Sequence, residues 1–168
     1  MVSAQEALQR LHDGNRRFVD DARGTDALTS QSRRTEIAES QSPFAIILGC
    51  SDSRVPAEIV FDQGLGDLFV IRVAGNIVAP SQIGSVEFAA ERFGTRLVVV
   101  LGHSRCGVIL ATIEELGRRT EEQSRNMRSI VSRIRPCVQP LFNTELASDH
   151  DELVRQAVRA NIYMSVNQ

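Results

Sequence analysis

The segment GCSDSRV at 49–55 sets Cys50, Asp52 and Arg54 close together, and GHSRCG at 102–107 sets His103 and Cys106 three apart. Thiolate and imidazole are side chains that zinc prefers, and two cysteines with one histidine form a known open catalytic zinc arrangement. Two thiolates balance the ion's charge and leave a fourth position for water or a carboxylate. Asp52 then has two available roles: the fourth ligand, or a hydrogen-bond acceptor held off the metal by Arg54. Only the second leaves the ion open. A plain surface ion pair of Asp52 with Arg54 would add little stability and would leave the adjacent thiol unexplained.

Taken singly, each residue has an ordinary explanation, since a buried cysteine is usually a small hydrophobe. Their convergence is what carries weight. Cys50 closes the apolar run FAIILGC (44–50) and His103 closes LVVVLGH (97–103), with LFVIRVA (68–74) between them. These runs lack clean alternation, the habit of parallel strands covered on both faces. Ligands of an open parallel sheet gather beyond the carboxyl ends of its strands, where Cys50, His103 and Cys106 all fall. A four-cysteine structural site would need a second short-spaced pair, and a redox site would favour Cys-x-x-Cys; neither is present. Cys137, in RIRPCVQP, reads as a core residue in a turn-like segment away from the strand ends.

Helices must position these strands. Ser3 and Glu6 form a capping-box pattern, with Leu8, Leu11 and Phe18 on the buried stripe of a first helix of about four turns. The stretch from Asp20 to Ser42 is mostly connection, with a weak helical pattern at 33–39. In SQIGSVEFAAERFG, Ile83, Val86, Ala90 and Phe93 repeat at helical spacing before the stop at Gly94, which predicts a crossover helix with Phe88 off its stripe. A helix is expected over 106–115. The Arg-rich stretch at 118–136 reads as a solvated helix face. In the last segment Val154, Val158, Ile162 and Val166 mark one stripe.

The chain has 168 residues, 42% hydrophobic and 24% charged, with a net charge of -2. One soluble domain over 1–168 fits these values. All 19 basic residues are arginine, which excludes Schiff-base lysine chemistry and a Walker A lysine. No basic run is interleaved with aromatics, so nucleic acid is not an expected partner. No segment approaches the roughly 20 apolar residues of a membrane span, and MVSAQEALQR lacks a signal-peptide core. The expected location is the cytoplasm, and three cysteines do not suggest a disulfide scaffold.

CSDSRVPAE, GDLFVIRVAGNIV and VVVLGHSRCG, in this order, resemble the β-class carbonic anhydrases, over about residues 4 to 166. The resemblance implies an α/β fold, a central parallel sheet flanked by helices with an N-terminal helical arm, assembled as a homodimer or homotetramer. It makes Cys50, His103 and Cys106 the zinc ligands and Asp52 with Arg54 the catalytic pair. The implied reaction is reversible hydration of CO2 to bicarbonate and a proton, a lyase activity. Gln41, Phe69, Ala74 and Phe88 map onto the family's substrate pocket, in part across a dimer interface; many members carry Tyr where this chain has Phe88. A relative of the same fold hydrolysing COS or CS2 would share the same ligands and catalytic pair, and a truncated, catalytically inactive zinc protein is the other alternative. Ile47 stands where bicarbonate-inhibited members carry Trp, so that regulatory site is not expected. The family's segment beyond the last helix, a further strand, is expected to be lacking from a domain that ends at Gln168.

Overall fold

The computed structural model describes residues 2–24, 29–117 and 124–168. Three strands, β1 (Ala45–Gly49), β2 (Leu68–Arg72) and β3 (Val98–Leu101), form a parallel sheet in the order β2-β1-β3. The central strand is buried throughout, and Ile46 and Ile47 are fully covered. Each such side chain contributes on the order of 1.5–3 kcal/mol when removed from water. The edge strands are less covered, and Val98 on β3 is exposed. The absence of alternation in FAIILGC thus had its expected cause: β1 has no solvent face.

The described helices are α1 (Ala4–Val19), α2 (Gln31–Glu36), α3 (Ala57–Val60), α4 (Pro80–Phe93), α5 (Gly107–Gly117), α6 (Arg125–Phe142) and α7 (His150–Val166). The chain divides into two compact units. One comprises Met1–Leu48, Ser53–Ile71 and Pro80–Val99; the other comprises Gly49–Asp52, Arg72–Ala79 and Val100–Gln168.

In the first unit, Ser3 caps α1 by accepting from the Glu6 N–H at 3.2 Å, as its pattern implied. The buried positions are Ala7, Leu11 and Gly14, whereas Leu8 is exposed. Leu11 is thus buried as expected and Phe18 is half-buried, while Ala7 takes the place expected of Leu8, because small residues let α1 approach α3. Asn15 donates to the Val60 carbonyl at 3.0 Å and Arg17 pairs with Asp62 at 2.5 Å. Along α4 only Ala89 is fully buried, and Ile83 and Ala90 face outward, against the stripe expected there. Its apolar residues outnumber those its own unit covers. The weak pattern at 33–39 resolves as α2, capped by Ser30.

The second unit packs α5, α6 and α7 on one another. Its core includes Ile109, Ile113, Ile134, Val138, Leu153 and Ala157. Residues 118–123 of the Arg-rich stretch lie outside the described residues; the remainder belongs to α6, whose outer face is solvated as expected. Cys137 is not in a turn. Pro136 and Pro140 lie inside α6, where each removes one intrahelical bond, but Ile134 and Val138 are buried on either side and hold the helix together. Tertiary burial overrides local propensity here. On α7 the buried positions are Leu153, Val154, Ala157, Asn161 and Ser165; of the expected stripe Val154 is buried, Val158 and Ile162 are half-buried and Val166 is exposed, so the stripe marks one border of the inner face and not its centre.

Gly14 tests this account of α1. A Cβ added there would sit 1.7 Å from the Phe61 carbonyl oxygen, an immovable backbone atom. Gly14→Ala should lower stability by about 2–3 kcal/mol, read as an earlier urea midpoint, despite alanine's higher helix propensity.

Candidate metal centre

Cys50 follows the last residue of β1, His103 comes two residues after β3, and Cys106 directly precedes α5. The 3-10 turn Ala74–Asn76 stands just beyond the end of β2. Parallel alignment therefore delivers all three segments to one end of the sheet. Arg105 adopts a left-handed φ of 54°, which turns the loop so that Cys106 follows His103 back to the site. Beside it, Gly102 admits α7: a Cβ there would lie 2.5 Å from the Ile162 Cδ1.

The Cys50 and Cys106 sulfurs and a ring nitrogen of His103 lie within 4.8 Å of one another, and all three side chains are buried. His103 Nδ1 is 3.0 Å from the Ser104 carbonyl oxygen, which can only accept. That bond places the proton on Nδ1 and turns the lone pair of Nε2 to the sulfurs. Nε2 is buried and has no hydrogen-bond partner; the nearest carboxylate oxygen, Asp52 Oδ2, is 3.8 Å away. An imidazole nitrogen left bare beside two thiols is a costly arrangement for a polar core and a natural one for a ligand set. A tetrahedral zinc with bonds of about 2.0–2.3 Å needs ligand atoms roughly 3.3–3.8 Å apart, within reach of this cluster. The residues fit the ion.

The electrostatics divide the two thiols. Cys50 is drawn well below the usual thiol range, first by the Cys106 thiol donating to it against the opposing cost of burial, then by the Gly75 and Asp52 N–H groups. Cys106 is pushed up by the same hydrogen bond and by burial. One proton is thus shared, held on Cys106 and donated to a Cys50 thiolate. The Gly75 N–H reaches Cys50 Sγ at 3.3 Å from a turn where Gly75 has φ of 72°. Glycine suits that position by its dihedral, and a Cβ there would come within 2.7 Å of Ile134 Cδ1 and oblige that methyl to shift.

Arg72, at the end of β2, donates from Nε to the Cys50 carbonyl at 3.0 Å and from Nη2 to the Asp52 carbonyl at 2.6 Å. Neither Arg72 nor Gly75 stood out in the sequence reading, because each acts on or through backbone; the only signal was the VAGN turn after an apolar run. Of the residues expected at the site, Cys50, Asp52, His103 and Cys106 come together. Ala74 belongs to the same unit, in the turn beside Gly75. Gln41, Arg54, Phe69 and Phe88 belong to the other unit, where Phe69 and Phe88 have ring centroids 6.2 Å apart. Cys137 takes no part: its Sγ donates to the Ile134 carbonyl at 3.0 Å, and burial pushes its pKa up to about 11.

Residues 45–168 match the family model described as carbonic anhydrase. The chain belongs to the carbonic anhydrase family. A carbonic anhydrase of Mycolicibacterium smegmatis is 44% identical over 134 residues, and carbonic anhydrase 2 of Mycobacterium tuberculosis 42%. Both alignments cover 79% of this chain and 63% of the relative, so the chain spans less than two thirds of the length of these curated carbonic anhydrases. Among solved structures, a tetrameric β-carbonic anhydrase of Sordaria macrospora aligns with TM-score 0.69 and 25% identity over 79% of this chain and 67% of its own. A β-carbonic anhydrase of Aspergillus fumigatus aligns with TM-score 0.70 over 97% of this chain and 73% of its own; at 22% identity it supports the fold.

Two outcomes follow for metal binding. Cys50→Ser and Cys106→Ser should lose zinc on elemental analysis, while Cys137→Ser keeps it. Because a ligating Cys106 must surrender its raised-pKa proton, zinc affinity should rise about tenfold per pH unit across the neutral range, with a proton released on binding. Calorimetry in buffers of different ionisation enthalpy would count that proton, and a pH-independent affinity would contradict the shared-proton arrangement.

Proposed function

We propose that this chain is a zinc-dependent carbonic anhydrase that hydrates CO2 reversibly to bicarbonate and a proton. The observation that carries this reading is the buried cluster of Cys50, His103 and Cys106 in a chain of the carbonic anhydrase family. These three residues would hold the ion. Zinc, when bound, lowers the pKa of water from about 15.7 toward about 7 and so makes a nucleophile available near neutral pH.

The chain's own groups supply the rest. Asp52 is assigned as acceptor for the proton of the attacking water. With Oδ2 3.8 Å from His103 Nε2, its carboxylate is near enough to become a ligand itself if not held back. Arg54, two residues on, is assigned to hold that carboxylate in a charge-assisted pair. Gln41, Phe69, Ala74 and Phe88 are assigned to the substrate side on the family resemblance; CO2 is apolar and asks for a dry wall, which suits the Phe69 and Phe88 rings.

We also infer a homodimer, paired into a tetramer or not. Phe88 is 53% exposed, and Ile83 and Val98 are exposed in the same unit, more apolar surface than a solitary unit needs. The Sordaria macrospora relative is itself tetrameric. Among the described residues no helix is long and apolar enough to cross a membrane. The three free cysteines support a reducing compartment, the cytoplasm.

Stopped-flow assays with CO2, COS and CS2, with zinc measured on the same sample, test the activity. CO2 hydration should dominate; zinc-loaded protein turning over COS or CS2 in preference would overturn the substrate assignment. Arg54→Ala should retain zinc and lose activity about 10–100-fold. Full turnover in that variant would remove Arg54 and its control of Asp52 from the mechanism. Phe88→Arg should sediment as a smaller species than wild type, and an unchanged assembly would exclude this face as the interface.

A further inference from the structure

Helix α7 buries two polar side chains among Leu153, Val154 and Ala157: Asn161, 1% exposed, and Ser165. A polar group in such a place costs free energy unless it is bonded, and these two are bonded to one segment. Asn161 Nδ2 donates to the Gly75 carbonyl at 2.8 Å, and Ser165 Oγ donates to the Asn76 carbonyl at 3.1 Å. Spaced four apart, they lie on one helix face and grip successive residues of the Ala74–Asn76 turn.

That turn is backbone in unusual dihedrals. Gly75 and Asn76 have φ of 72° and 41°, and an asparagine at positive φ is held only when its surroundings fix it. On its other side the same turn presents the Gly75 N–H to Cys50 Sγ at 3.3 Å. Gly75 therefore receives a bond at its carbonyl from α7 and delivers one from its amide to the sulfur. The two polar residues interrupt a hydrophobic face where leucine or alanine would pack without such bonds.

We infer that Asn161, seconded by Ser165, is a positioning residue for the metal centre: it fixes the Gly75 amide, and through it the direction in which the Cys50 sulfur offers its lone pairs. It touches neither the ion nor the substrate. Its effect is on how well a pre-set ligand triple meets an incoming ion, in the way that outer-shell hydrogen bonds tune first ligands. The inference rests on Cys50, His103 and Cys106 being the metal ligands, as proposed above.

The test uses Co(II) alone as probe on the full chain stripped of metal. Affinity is read by competition with a chromophoric chelator, and geometry by the sulfur-to-cobalt charge-transfer absorption. Asn161→Ala should bind Co(II) about tenfold more weakly with an altered band, and hydrogen exchange at 72–79 should quicken. Thr112→Val is the control, since Thr112 is equally buried in the same unit but its hydroxyl bonds within its own helix, to the Val108 carbonyl at 2.8 Å. It should change stability and leave Co(II) affinity and band as in wild type. Should Asn161→Ala fail to fold, Ser165→Ala removes the second grip alone and should weaken binding about two- to threefold with the same change of band. A folded variant at either position that matches wild type in both readouts overturns the inference. Wild-type protein that binds no Co(II) at all overturns instead the metal-centre reading beneath it.

Discussion

The structure is organised around a buried sulfur, that of Cys50, whose neighbours favour its negative form against the cost of burial. Cys50 follows the most deeply covered strand, and it is itself a member of the hydrophobic cluster. An anion in such surroundings persists only if donors are aimed at it. Cys106 and the Gly75 amide are those donors, brought from two different segments of the chain. Their arrival depends on parallel strands ending together, on a left-handed Arg105 and on a glycine that no other residue can replace without meeting Ile134.

The same burial suits a metal. Two thiolates and an imidazole around a doubly charged cation are nearly neutral as a set, so such an ion would satisfy these side chains without bringing net charge into an apolar cluster. Cys106 belongs to that cluster as well, together with Ile109, Ile134 and Val154. Hydrophobic packing by α5, α6 and α7 therefore stabilises the unit and keeps the ligand atoms in a low-dielectric setting, where each hydrogen bond to sulfur counts for more.

The strands and the meeting of Cys50, His103 and Cys106 were legible in the sequence because their signals are strong in themselves. An unbroken apolar run has few readings, and two cysteines with a histidine at strand ends have a definite chemistry. Helix faces were less legible. On α7 the inner face contains Asn161 and Ser165, which an apolar stripe cannot register because they are buried for their bonds. On α6 the two prolines suggested a turn around Cys137, while the burial of Ile134 and Val138 that overrides them is a property of the packed unit. Arg72 and Gly75 escaped for a third reason: their partners are a carbonyl and a sulfur reached through backbone, and residue type does not announce such bonds.

The backbone of the Cys50–Asp52 segment and the carboxylate it carries are under separate control. Arg72 holds the carbonyls of Cys50 and Asp52, the Val73 N–H donates to the Gly49 carbonyl at 3.1 Å, and the Ser51 N–H donates to the Val73 carbonyl at 3.3 Å. These bonds run to β2 and the residue after it, and they fix the path that aims the Cys50 sulfur. The Asp52 side chain projects from this fixed path to within 3.8 Å of the His103 nitrogen. A guanidinium acting on that carboxylate can change its direction while the loop beneath stays in register. Arg72 thus grips main chain on both sides of Ser51, so the sulfur of Cys50 and the carboxylate of Asp52 leave one short, doubly held stretch of backbone.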